Sequence, residues 1–276
     1  FVAAPAPARA ATNRPPYPAR RVEEAIAAGE LVNFYQPKVS VRTGAVTGVE
    51  TLVRWRHPED GLVSPDRFIP IAEESGLIDA LTRVVLSGAI AQARAWLDRG
   101  LALKVAINVS MENLTSLDFP DFVAEAVAAG GLAAESVGLE VTESRLMKDP
   151  LAALDVLTRL RLKHVGLSID DFGTGHSSQA QLRDIPFQEL KIDRSFVHGA
   201  ARNAGLRAML EANVRMAHQL GMWTVAEGVE DLEDWNLMRE LDGDLAQGYF
   251  ISRPIAGADV PAWIDAWEKR RPALIR

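Results

Sequence analysis

Residues 167–178 read LSIDDFGTGHSS. Leu167 to Ile169 form the short apolar run of a buried strand, yet the run stops at two adjacent carboxylates, Asp170 and Asp171, followed by a glycine-punctuated loop. Successive side chains on a strand point to opposite faces. One site can therefore use both aspartates only if the backbone turns at that point. A strand that ends in paired acids fits a β/α barrel, whose active sites gather at the C-terminal strand ends.

Outward from this stretch, strand-like and helix-like segments alternate. Strand patterns occupy 31–41, 46–55, 103–110, 136–144, 165–172, 189–196, 222–229 and 245–252. Between them, segments such as LIDALTRVVLSGAIAQARAWL, PLAALDVLTRLRL and DLEDWNLMREL carry apolar residues at three- and four-residue spacing. Eight strands with helical crossovers imply a largely parallel sheet. Only Arg42 to Ala45, including Gly44, separate the first two strands. So short a connection makes a hairpin, so the expected fold is α/β, a modified TIM (β/α)8 barrel with an antiparallel first strand.

The chain has 276 residues, 48% of them hydrophobic and 24% charged, which suits one barrel of this size. No apolar run approaches the roughly 20 residues of a membrane span, and none resembles a signal peptide, so the expected compartment is the cytoplasm. With no cysteine, disulfides and thiolate chemistry are excluded. The net charge of −7 argues against a nucleic-acid polymer as partner, while leaving room for a phosphate ligand held through cations. The opening FVAAPAPARAATNRPPYPA lacks apolar periodicity, and residues 1–20 read as an Ala/Pro-rich flexible linker preceding a domain over 21–276.

The polar residues that interrupt the apolar strands are Glu50, Asn108, Glu140, the Asp170–Asp171 pair, Lys191, Glu227 and Gln247, on seven strands. Burying that many carboxylates together is prohibitive unless cations neutralise them. The donors Glu50, Asn108, Glu140, Asp170 and Asp171, with Glu227 as a further candidate, are all oxygen ligands, which suit Mg2+ or Mn2+. Their number suits two ions and an in-line phosphoryl displacement. Lys191 would position water or neutralise developing charge.

Each residue also has a plainer reading. A single strand Glu50 or Gln247 is more often solvent-facing, Lys191 an exposed ion-pair partner, Glu143 a helix cap, and the glycines of DDFGTG mere turn formers. Asn108 opens NVS, which also matches a glycosylation acceptor. Trp96, Trp223 and Trp235 fit core packing. Joint placement on successive strand ends is what favours function over these readings.

In chain order, FYQPKV, ETLVRW, NVS, LEVTES, DDFGTG, LKID, AEGVE and QGYFISRP resemble the EAL-domain phosphodiesterases of cyclic di-GMP, from about Leu31 to Pro254. The resemblance implies cleavage of one phosphodiester bond to linear 5′-pGpG with two Mg2+ or Mn2+ ions. It places Glu50, Asn108, Glu140 and Asp170 on one ion and Asp170, Asp171 and Glu227 on the other, with Asp170 bridging. Lys191 would hold the nucleophilic water, and Glu227 is either the general base or only a ligand. Gln36, Leu52 and Arg54 match positions that hold the dinucleotide, and Gln247 one near the active site. Glu143 matches a glutamate that anchors the DDFGTG loop and links metal binding to dimer packing.

The chain departs from the family pattern at Thr51, where alanine is usual. Thr51 should point away from the barrel interior, because Glu50 and Leu52 use the opposite face. The expected partners are cyclic di-GMP, a second copy in a dimer or larger oligomer, and an upstream regulatory domain. Two alternatives stand: a catalytically inactive cyclic di-GMP receptor, and an unrelated two-metal barrel hydrolase.

Overall fold

The computed structural model describes residues 17–143, 150–173 and 185–275. Eight strands close into one barrel: β1 (Leu31–Ser40), β2 (Val46–His57), β3 (Lys104–Asn108), β4 (Val137–Thr142), β5 (Gly166–Phe172), β6 (Glu189–Ile192), β7 (Trp223–Ala226) and β8 (Leu245–Ala246). From β2 to β8 neighbours pair in parallel; β1 pairs antiparallel with both β2 and β8 and closes the ring. Pairings such as Gln36 with Glu50 and Val39 with Ala246 place this reversed strand in register. The hairpin turn at Gly44 (φ 66°) explains the reversal.

Helices cover the outside: α1 (Ala19–Ala27), α2 (Ile78–Leu97), α3 (Phe119–Ala129), α4 (Pro150–Leu162), α5 (Ala204–Gln219), α6 (Leu232–Glu240) and α7 (Val260–Leu274). On α2 the buried Ile78, Leu81, Val85, Leu86, Ala89, Ala93 and Trp96 make one apolar stripe against the barrel. Asn203 caps α5, accepting from the Gly205 and Leu206 amides, and Asp231 caps α6, accepting from those of Glu233 and Asp234. The core lies between barrel and helices, where outward strand residues such as Val105, Ile107, Leu139 and Ile169 are fully buried.

Several expected boundaries shift for identifiable reasons. The segment 189–196 is strand only to Ile192, because the Asp193 side chain accepts from the Ser195 amide and starts a helical turn, Arg194–Val197. Beyond Ala226 and Ala246 the chain turns at Gly228 (φ 64°) and Gly248, which shortens the last two strands. Trp96 and Trp235 are core residues, but Trp223 is 60% exposed, since it is the first residue of β7 at the barrel's N-terminal mouth. Residues 1–16 of the stretch read as linker lie outside the described residues. Tyr17, however, packs its ring 4.6 Å from that of Trp55 and donates to Asp60, and α1 starts at Ala19.

Candidate active site

The C-terminal strand ends bring the predicted polar residues to one place. On β2 the alternation that buries Val49 and Thr51 outward turns Gly48, Glu50, Leu52 and Arg54 inward. On β4 the same rule sends Glu140 in and leaves Leu139 and Val141 in the core. Lys191, fully buried on β6, lies at the centre. Its ammonium is 2.8 Å from Glu140, 2.8 Å from Glu227, 3.0 Å from Asp170 and 3.6 Å from Glu50.

Two groups of oxygen donors surround it. Carboxylate oxygens of Glu50, Glu140 and Asp170 lie within 4.8 Å of one another, and so do those of Asp170, Asp171 and Glu227. Asp170 belongs to both. The puzzle of adjacent aspartates is resolved by the backbone: Asp171 takes a left-handed conformation (φ 55°), and the β5–β6 register slips between Ile169 and Phe172. The slip is a bulge that re-aims a side chain, and the Asp171 amide donates to the Asp170 carboxylate at 2.9 Å.

The remaining predicted residues frame these groups. Asn108 donates to Glu50 at 2.8 Å. Gln247 donates to Glu50 at 2.6 Å and to Gln36 at 3.0 Å, while Gln36 donates to the Ser252 carbonyl. Gln36, Glu50, Glu227 and Gln247 line one cavity of about 210 Å³ with Arg194 and the half-exposed Tyr249. Leu52 and Asn108 line a separate cavity of about 240 Å³, together with Thr51 and Val53 of β2 and Leu81 and Val85 of α2. Arg54 is partly buried, which lowers its basicity, and it donates to the Val53 carbonyl. Glu143, at the end of β4, accepts from the Gly173 amide at 2.7 Å and so ties down the start of the DDFGTG loop. Residues 174–178 of that loop lie outside the described residues. Thr51 is buried on the outward face, as alternation predicts, and its hydroxyl has no protein partner.

The electrostatics divide the acids. Burial pushes the Glu227 carboxyl up to about 8, and it also raises Glu50. Burial raises Asp171 as well, reinforced by the Asp170 charge. For Glu140 burial works in the same direction, but the Lys191 and Lys38 ammoniums outweigh it and bring the group to about 2. Lys191 is held well above the ordinary lysine value, since its four carboxylate neighbours outweigh its burial.

Lys38 is the residue that reading the sequence missed. It is buried on β1, with its ammonium 2.7 Å from Glu140 and 2.9 Å from Glu189. The signal was available: Lys38 follows Gln36 by two and so shares its inward face.

The oxygen-only donor set, clustered in two triads with one shared member, fits a pair of hard divalent cations. A family model described as EAL domain matches residues 19–254. The chain is 40% identical over 247 residues to the cyclic di-GMP phosphodiesterase NbdA of Pseudomonas aeruginosa, covering 89% of this chain and 32% of that protein. It is 36% identical over 246 residues to the oxygen sensor protein DosP of Escherichia coli, covering 89% and 31%. It thus spans about a third of the length of these curated relatives. Among solved structures, the PaMucR phosphodiesterase in complex with c-di-GMP superposes with a TM-score of 0.83 at 38% identity, covering 87% of this chain and 98% of that one.

Proposed function

The chain belongs to the EAL-domain family, and on that footing we propose that it hydrolyses one phosphodiester bond of cyclic di-GMP to linear 5′-pGpG. The observation that carries this reading is the pair of carboxylate triads sharing Asp170 around a buried Lys191. Asn108, Glu50, Glu140 and Asp170 would hold one divalent cation, and Asp170, Asp171 and Glu227 the other. When bound, Mg2+ or Mn2+ supplies activation of water and charge stabilisation at the departing oxygen.

The chain's own groups do the rest. Lys191 holds water and offsets the negative charge that develops on the phosphoryl group. Glu227, 2.8 Å from the Lys191 ammonium, is either the group that takes a proton from that water or only a ligand. Gln36, Leu52, Arg54 and Gln247 grip the dinucleotide, with the Arg54 guanidinium matched to phosphate oxygens. Glu143 anchors the loop after Asp171 through the Gly173 amide. The curated relatives are about three times as long, so control by a further domain belongs to this proposal; work as a dimer or larger oligomer in the cytoplasm is proposed from the family resemblance alone.

Incubation with cyclic di-GMP and Mg2+ or Mn2+, followed by chromatographic separation of nucleotides, tests it. Linear 5′-pGpG is expected, and a chelator should abolish it. Cyclic dinucleotide that binds but stays intact at saturating metal would make the domain a receptor instead.

A further inference from the structure

We infer that Lys38 is a positioning residue for the metal centre, fixing one oxygen of Glu140 so that only the other faces the site; this rests on the function proposed above. Lys38 reaches inward from β1 one layer below Gln36, opposite Gly48 in the β1–β2 register. Lys38, Gly48, Gly138 and Gly166 border a cavity of about 560 Å³ at the barrel's N-terminal end. Into that space Lys38 extends to acids on two other strands, Glu140 of β4 and Glu189 of β6.

The two oxygens of Glu140 are thereby divided. Oε1 accepts from Lys38 at 2.7 Å, and Oε2 accepts from Lys191 at 2.8 Å. The Glu189 Oε1 that accepts from Lys38 at 2.9 Å also accepts from the Ser168 hydroxyl at 3.0 Å. Lys38, Glu140 and Lys191 therefore form a buried chain that ends at the reacting centre, with Ser168 and the partly exposed Glu189 at its outer end. Without Lys38, Glu140 would be free to rotate and would draw Lys191 away from Asp170 and Glu227. With it, Glu140 presents a single oxygen in fixed orientation. Partners that orient ligands in this way typically account for about 10- to 100-fold in metal affinity.

Mn2+ titration, with free Mn2+ followed by electron paramagnetic resonance, tests this on the intact chain. Three variants are compared with the wild type: Glu189→Gln, Lys38→Met combined with Glu189→Gln, and Lys38→Arg. The first keeps an acceptor for Lys38 and should bind Mn2+ as the wild type does. The second removes a charge of each sign, so the balance is kept, and should raise the Kd by roughly 10- to 100-fold. The third retains the charge but displaces the Glu140 carboxylate with a longer fork, and should also weaken binding while the melting temperature stays near wild type.

If Lys38 only balances buried charge, the second and third variants bind like Glu189→Gln, and the inference is overturned. Should the double variant not fold, Lys38→Arg decides alone. A wild-type chain that takes up no Mn2+ would contradict the proposed function itself, which separates the two failures.

Discussion

Lys191 is the side chain on which the acids depend: a fully buried ammonium bonded to Glu140, Asp170 and Glu227 within 3.0 Å and facing Glu50 at 3.6 Å. Removing one member of such a buried group costs about 3–5 kcal/mol, because the remaining charges are left uncompensated. Lys191→Met should therefore melt well below wild type without metal and, with metal, lose about 100-fold or more in turnover, as expected for a lost electrostatic stabiliser. Asp171→Asn tests the second triad more gently, since asparagine also tolerates the left-handed backbone (φ 55°). Its melting temperature should stay near wild type while calorimetric Mn2+ binding weakens; unchanged binding would remove Asp171 from the ligand set. Thr51→Ala removes a hydroxyl with no protein partner on the outward face, so turnover should match wild type. Glu50, Asn108, Glu140 and Lys191 were legible in the sequence because a polar residue in an otherwise apolar strand is conspicuous. Lys38 was not, because a single strand lysine resembles an edge residue until a barrel supplies its inward partners.

β5 shows how one element makes the site. Its alternation is regular through Ile169, Asp170 points inward, and the bulge at Asp171 then brings a second carboxylate to the same side. Glu143 fastens the following turn to the end of β4 through the Gly173 amide. Glu143→Ala should thus leave global melting little changed but increase amide exchange around Gly173 and weaken metal binding; unaltered exchange would deny the anchoring role. The doublet in LSIDDFGTGHSS signalled a turn, but not its form, because the left-handed Asp171 coincides with a slip in the β5–β6 register that only the paired strands reveal. The turn after β8 is equally exacting: a Cβ on Gly248 would lie 2.2 Å from the Val229 carbonyl oxygen. Gly248→Ala should cost about 1–3 kcal/mol in denaturant unfolding, the usual range for overpacking, and disturb Gln247, which donates to Glu50. The late strands were overestimated because their apolar character continues past the last ladder bond, where glycine and the Asp193 cap end the pairing.

At the scale of the whole molecule, β–α alternation and one short hairpin sufficed to indicate a barrel with a reversed first strand, since few topologies accommodate both. The α1 helix starts in the last two residues of the Ala/Pro-rich stretch, which masked its beginning, and it docks through the buried Val22 and Ala25, with Tyr17 just before it packed on Trp55. The collected acids also give the fold a pH signature. Burial raises Glu227 to about 8 from its ordinary 4.5, so its contribution favours the metal-free fold below that ordinary value and is lost as pH rises to about 8. Glu140, lowered to about 2, has the opposite sign: its contribution is complete above 4.5 and is lost as pH falls towards 2. Between about pH 4.5 and 8 metal-free melting temperature should therefore fall with rising pH, and added Mn2+ should stabilise most at the alkaline end, where its ligands are ionised. The proposed two-metal site depends above all on Asp170 being shared by two cations. Anomalous diffraction from crystals grown with Mn2+ and cyclic di-GMP measures this directly. Two manganese peaks roughly 3.5–4 Å apart, both bonded to Asp170 and flanked by Glu140 on one side and Glu227 on the other, are predicted; a single peak, or peaks away from Asp170, would contradict it.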